Sequence, residues 1–345
     1  MTMTSNFLRF LALGCLVLLA GCERPVPDSV QRGYRGTGML QVYNPRILDA
    51  ITQANVPPVA LAPASPEGPR ASQVFQNVKV LGDTSAAEFT RIMTAITEWV
   101  SPVQGCAYCH DVNNYADDAM YTKVVSRRML EMTRHINTEW TSHVVATGVT
   151  CYTCHRGQPI PSEIWFKQAP QANGSNFIGD AAGQNLAAIS VKYASLPSDP
   201  FTPFLLEAKP VRVYSTTALP SGNNASIKQA EWTYSLMTHM SSSLNVNCTY
   251  CHNSRSFAEW DGAPPQRVTA WHGIQMSRSL NVNYLEPLRS AFPANRLGPT
   301  GDAPKVNCAT CHQSAYKPMN GAPMLKDYPE LGAPRPSPTA TVAAN

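Results

Sequence analysis

A chain of 345 residues with 27 Lys and Arg against 23 Asp and Glu has a formal net charge of +4, and loss of an N-terminal leader containing Arg9 lowers it to +3. So slight an excess carries no weight as a sign of nucleic-acid binding, and no nucleic-acid partner is expected. With 29 prolines and little strand alternation, the chain is expected to be mainly α with extensive coil.

The first residues, "MTMTSNFLRFLALGCLVLLAGCE", have one basic residue, an apolar run from Phe7 to Ala20 and a small-residue end. That is the pattern of a secretory leader, and the run is short for a bilayer span, which needs about 20 apolar residues. "LAGC" at 19–22 resembles a bacterial lipoprotein cleavage site, so residues 1–21 are read as signal peptide and Cys22 as the lipidated first mature residue. Residues 22–80, rich in Pro, Gly and Ala, read as an extended N-terminal arm. Two related units follow at 81–160 and 226–332, separated by an irregular connecting segment at 161–225. Residues 333–345 form a flexible tail.

The remaining eight cysteines fall into four copies of one pattern: "CAYCH" at 106–110, "CYTCH" at 151–155, "CTYCH" at 248–252 and "CATCH" at 308–312. Cys-x-x-Cys-His attaches c-type haem: two thiols add across the vinyl groups as thioethers, and the following histidine takes one face of the iron. Zinc could use two Cys-x-x-Cys pairs, but it has no need for a histidine after each. The pattern therefore predicts four covalently bound c-type haems, on Cys106 and Cys109, Cys151 and Cys154, Cys248 and Cys251, and Cys308 and Cys311. The proximal ligands are His110, His155, His252 and His312. Haem attachment in bacteria takes place outside the cytoplasm, in agreement with the leader, and the haem propionates bring the mature holoprotein near neutral or mildly acidic. Porphyrin faces are expected to supply much of the core.

The two units share a register. "EFTRIMTAITEWV" (88–100) precedes the first motif and "EWTYSLMTHMSSSL" (231–244) the third; Met93 and Met237 lie 144 positions apart, as do Met132 in "EMTRHINTEW" and Met276 in "QMSRSLNVNY". This self-similarity predicts a duplicated two-haem unit with pseudo-twofold symmetry. A haem used only for electron transfer has both axial positions filled, so each iron needs a second ligand. The first helix starts at a Ser85/Glu88 capping box and carries Met93 on its apolar side, thirteen residues before a haem; Met237 is its counterpart. A second helix, expected from about Tyr121 to Val145, carries Met129 and His143 on one stripe, about 21 Å apart at 1.5 Å per residue. They serve different irons. At the offset of 144 their counterparts are Gly273 and Pro287, which cannot ligate, so the fourth haem draws its distal ligand from elsewhere. His143 is the best candidate, leaving Met129 for His155. His239 and Met240 lie close to Met237, but His239 points about 200° around the helix from it. His135 and His272 read as polar residues at haem or subunit edges, and Met132 and Met276 as packing.

With "TAITEWVSP", "RRMLEMTR", "TGVTCYTCHRG", "PFTPFLL", "WHGIQMSRSLNVNYL" and "LKDYPELG", most of the mature chain resembles the tetrahaem cytochrome c subunit of purple-bacterial photosynthetic reaction centres. The resemblance implies a lipid-anchored subunit on the periplasmic face of the photosynthetic membrane, seated on the core subunits L and M. It implies electron transfer, without substrate chemistry of its own, from a soluble periplasmic donor such as a small cytochrome c or a high-potential iron–sulfur protein to the photo-oxidised special-pair bacteriochlorophyll. Its ligand pairs are Met93 with His110, Met129 with His155, Met237 with His252, and His143 with His312. It also implies a roughly linear wire of alternating potential, with the third-motif haem nearest the special pair and the His143/His312 haem among the lower ones. The competing readings are a multihaem periplasmic reductase, which needs an open iron position, and a respiratory electron carrier with bis-histidine haems.

Overall fold

The computed structural model describes residues 25–169, 186–213 and 227–335; the leader, Cys22 and the end of the tail lie outside them. The arm begins as an antiparallel hairpin, β1 (Asp28–Arg32) and β2 (Met39–Tyr43), in which Val30 pairs with Gln41. Then comes α1 (Pro45–Ala54), capped by the Asn44 side chain, which accepts from the Arg46 N–H at 3.1 Å. The sequence reading had no hairpin here. Its strands are only five residues each, too short for alternation to stand out from coil.

After the single turn α2 (Ala71–Val74), α3 (Ala86–Val100) starts at the expected capping box. Ser85 Oγ accepts from the Glu88 N–H at 3.1 Å while the Ser85 N–H donates to Glu88 Oε2 at 2.9 Å. The next long helix is shorter than the stripe of apolar residues suggested. α4 (Tyr121–Glu139) ends at Trp140, whose ψ of 30° leaves the helical range, and one separate turn, α5 (Thr141–Val144), carries His143. Val145, at φ 48°, stops that turn. The bend lets the end of the stripe leave the axis of α4.

The second motif is the turn α6 (Cys151–His155), and the connecting segment contributes α7 (Phe201–Leu205). α8 (Ile227–Leu244) and α9 (Gln266–Leu280) are the long helices of the second half; α9 continues through a wider turn at Asn281–Leu285 and a 3₁₀ stretch at Glu286–Ser290. α10 (Cys308–His312) is the fourth motif and α11 (Met324–Asp327) opens a C-terminal strap. Among the described residues no helix is long and apolar enough to cross a membrane.

Among the described residues the side-chain core comes in three patches. One joins α3 to the strap through Ile92, Trp99, Leu130, Tyr328 and Leu331. One joins α4 to α9, with Met132 and Met276 in the same cluster as Ile136, Val149 and Leu280. The third packs Trp165, Phe201, Phe204 and Leu205 against Leu236 of α8 and Ile274 of α9. The strap is locked by arginines as well: Arg134 donates to the Glu330 carbonyl at 3.0 Å, Arg91 to the Glu330 carboxylate at 3.3 Å, and Arg335 to both oxygens of Glu88 at 2.6 Å.

Candidate haem sites

The four Cys-x-x-Cys-His segments fold in two ways. The first and third are 3₁₀ turns, Gly105–Tyr108 and Cys248–Tyr250, each followed by a small loop closed by one bridge, Asp111 to Asn114 and Asn253 to Ser256. The second and fourth are single α-turns, α6 and α10. Each begins at a capping box, Thr150 with Thr153 and Asn307 with Thr310, and ends on a left-handed residue, Arg156 at φ 50° and Gln313 at φ 45°.

This local geometry orients the histidines. Nδ1 of His110 lies 3.2 Å from the Tyr115 carbonyl and Nδ1 of His252 2.9 Å from that of Phe257, five residues on in both cases. Nδ1 of His155 lies 2.9 Å from the Gln158 carbonyl and Nδ1 of His312 2.9 Å from that of Ala315, three residues on in both cases. A carbonyl only accepts, so each Nδ1 carries the proton and each Nε2 keeps a bare lone pair, the tautomer an iron ligand needs. Burial holds all four rings toward the neutral form, with His312 pushed down to about 4.

A fifth histidine has the same arrangement without a motif. Nδ1 of His143 donates to the Thr269 carbonyl at 2.9 Å, and the ring stands 6.1 Å from that of His312, centroid to centroid, at 69°. Two imidazoles on opposite sides of one metal, each bonded at about 2 Å with its centroid about 1 Å behind the nitrogen, would sit about 6 Å apart. The remaining histidines with described partners are used differently. Nε2 of His135 accepts from Trp140 Nε1 at 3.2 Å, and His239 is buried edge-on to Phe201 with Nε2 3.2 Å from Ser243 Oγ.

Met93 shares a cavity of about 650 Å³ with Cys106, Cys109 and His110, walled by Phe89, Ile96 and Leu130. That volume suits a large, mainly apolar ligand. On α4, the Thr133 hydroxyl donates to the Met129 carbonyl at 2.8 Å, and the Met129 side chain packs on the cluster that includes Val149, two residues before the second motif. Met237 and Met240 both pack on the cluster around Leu236 and Ile274. No described contact joins Met129 to His155 or Met237 to His252. Burial pushes the thiols of Cys151 and Cys308 up to about 12 and that of Cys251 to about 11, so they stand as neutral groups in apolar surroundings.

The motifs have a spatial order. Gly157 donates to the Trp99 carbonyl at 2.8 Å, setting the second motif against α3, the helix that leads into the first. Cys154 and Cys311 face each other with sulfurs 2.9 Å apart, so the second and fourth motifs are back to back. Arg156 clamps this junction, donating to the Asn55 side chain at 3.0 Å and to the Cys311 carbonyl at 3.3 Å. α10 then lies against α8, which runs into the third motif. Along the molecule the order is first, second, fourth, third.

The offset of 144 recurs in hydrogen bonds that sequence reasoning had not singled out. The Asn137 amide takes the Val149 N–H at 2.8 Å and donates to the Val149 carbonyl at 3.0 Å and the Leu331 carbonyl at 2.9 Å. Asn281 takes the Val306 N–H at 2.8 Å and donates to the Val306 carbonyl at 2.9 Å and the Leu205 carbonyl at 3.0 Å. Val149 and Val306 each stand two residues before a motif cysteine.

The model of the family described as photosynthetic reaction centre cytochrome c subunit matches residues 23–332. The chain belongs to that family. Among its relatives, the photosynthetic reaction center cytochrome c subunit of Rubrivivax gelatinosus is 61% identical over 334 residues, covering 96% of this chain and 90% of the relative. The proteins of the same description from Thermochromatium tepidum and Roseobacter denitrificans are 51% and 43% identical, covering 91% and 88% of this chain and 78% and 85% of theirs. Family membership makes the chain a c-type haem protein that transfers electrons at the photosynthetic reaction centre, associated with the reaction-centre core at the membrane.

Proposed function

We propose that the chain holds four haems in two duplicated two-haem units and, tethered by acylated Cys22 on the periplasmic face and seated on the L and M core, passes electrons from a soluble donor to the oxidised special pair. The haems supply one-electron chemistry; the protein orients them and sets their potentials through axial ligands, burial and hydrogen bonds. The observation that carries the reading is the set of five Nδ1–carbonyl pairs. Four stand on motif histidines and the fifth on His143, facing His312. Five such imidazoles and three methionines, Met93, Met129 and Met237, give every iron two protein ligands, which suits electron transfer without substrate chemistry. The paired loops of the first and third motifs, the paired turns of the second and fourth, and the matching bonds of Asn137 and Asn281 support the duplication and its pseudo-twofold symmetry.

The arm supports the orientation on the membrane. The hairpin is bonded to the third motif: the Thr249 hydroxyl donates to the Arg32 carbonyl at 2.6 Å, and the Ser254 N–H donates to the Thr37 carbonyl at 3.1 Å. Asp28 is six residues from Cys22, a span of at most about 20 Å. A lipid on Cys22 therefore favours a third motif close to the bilayer, with the first at the far end to meet the donor. Flash photolysis of native membranes tests the whole reading: the haem α-band is expected to bleach as the special pair is re-reduced. A special pair re-reduced with no haem oxidation would defeat it.

A further inference from the structure

We propose that Gly273 is the positioning residue that admits His143 to the fourth haem, occupying the place where the second unit's own distal methionine would stand. The inference rests on the ligand pairs above and adds the reason why the two units ligate differently. Two independent observations meet at this residue. In register, Gly273 lies 144 positions after Met129, the residue assigned to the second haem. In space, a β-carbon built on Gly273 would lie 2.5 Å from Cε1, 2.9 Å from Nδ1 and 3.2 Å from Nε2 of His143. The imidazole thus lies directly on the bare backbone of α9.

Glycine is a poor residue for the interior of a buried helix, and nothing in the conformation of α9 requires it, since Gly273 does not have a left-handed φ. The neighbouring ring does. Thr269, one turn earlier, provides the carbonyl that takes the His143 Nδ1 proton at 2.9 Å. With two lone pairs, that oxygen can accept the ring N–H in addition to a helical bond. Thr269 and Gly273 therefore form one cradle on α9: the first sets the rotation of the imidazole, and the second gives it room to reach toward His312. In α4 the equivalent site sends out a methionine side chain. In α9 the side chain is missing, and a histidine from the first unit fills the gap.

The test uses the four-haem holoprotein, with haem content checked by pyridine haemochrome, and reads spectra and potentials. G273A is expected to displace the imidazole: the one bis-histidine electron paramagnetic resonance signal is lost or shifted and the ferrous protein takes up about one carbon monoxide per four haems. An ordinary helix substitution would leave both unchanged. H143A is expected to bind carbon monoxide to the same extent. In H143A/G273M the fourth iron gains a thioether, so the methionine-to-ferric band in magnetic circular dichroism rises from three haems to four and carbon monoxide binding is lost again. Wild-type spectra and potentials in G273A would overturn the role of Gly273 even if H143A behaves as expected. Wild-type spectra in H143A would instead overturn the ligand pair itself. If G273A does not mature, the double variant decides: four haems with no added methionine band refute the proposal.

Discussion

Asn281 offers a quantitative test of how the fourth motif is held. Its side chain is completely buried and makes three hydrogen bonds, one accepted from the Val306 N–H and two donated to the Val306 and Leu205 carbonyls. Asn281→Ala leaves one donor and two acceptors without partners in a site closed to water. With about 1 to 3 kcal/mol for each buried group left unsatisfied and some relief from local relaxation, the expected loss is about 3 to 5 kcal/mol. Asn281→Asp should cost at least as much, because a carboxylate oxygen would then face two carbonyl oxygens. The assay is urea unfolding of the holoprotein followed by tryptophan fluorescence, which haem quenches in the folded state. With a slope of about 3 kcal/mol/M, the midpoint should fall by about 1 M or more. Asn137→Ala, which removes the same three bonds before the second motif, should behave alike. A midpoint shift within the ±0.5 kcal/mol or so typical of surface substitutions would refute the idea that these amides pin the motifs.

Two further outcomes are expected. Burial by itself would raise the carboxyls of Asp83 and Glu88, but the Arg134 and Arg335 guanidiniums and nearby backbone N–H groups outweigh it and hold both below the usual carboxylate range. A lowered folded-state pKa gives stability that is complete above the unfolded value of about 4 and is lost as pH falls through the folded value; D83N and E88Q should therefore unfold less steeply with acid below about pH 4, read by circular dichroism. Mass spectrometry of the mature N terminus should find acylated Cys22 with nothing before it, and C22S should release the cytochrome from washed membranes; retention of C22S would mean that contacts with the core suffice.

The four Cys-x-x-Cys-His motifs were legible because covalent attachment of haem demands fixed local spacing. Two thiols and an imidazole must meet one porphyrin within a single turn of chain, so four copies of Cys-x-x-Cys-His can be read without any fold. The offset of 144 was legible for a related reason: helices with matching apolar faces keep their register. The capping box at Ser85 and Glu88 came through as well, since its bonds link residues three apart. The hairpin of the arm did not, because its register depends on the third motif it packs against. Nor did the break at Trp140, where the apolar stripe continues past the end of the helix and only packing stops it.

The sequence by itself shows the four Cys-x-x-Cys-His motifs, which rest on short-range spacing, and an offset of 144 between its two halves, which rests on a shared helical register. Only the tertiary structure decided what long-range contact governs: that motifs two and four stand back to back, that His143 donates to Thr269 and faces His312, and that the room for its ring comes from Gly273. A sequence position specifies a side chain but not the space around it. At Gly273 the missing side chain was readable from the letters, and its consequence required the ring that lies against it.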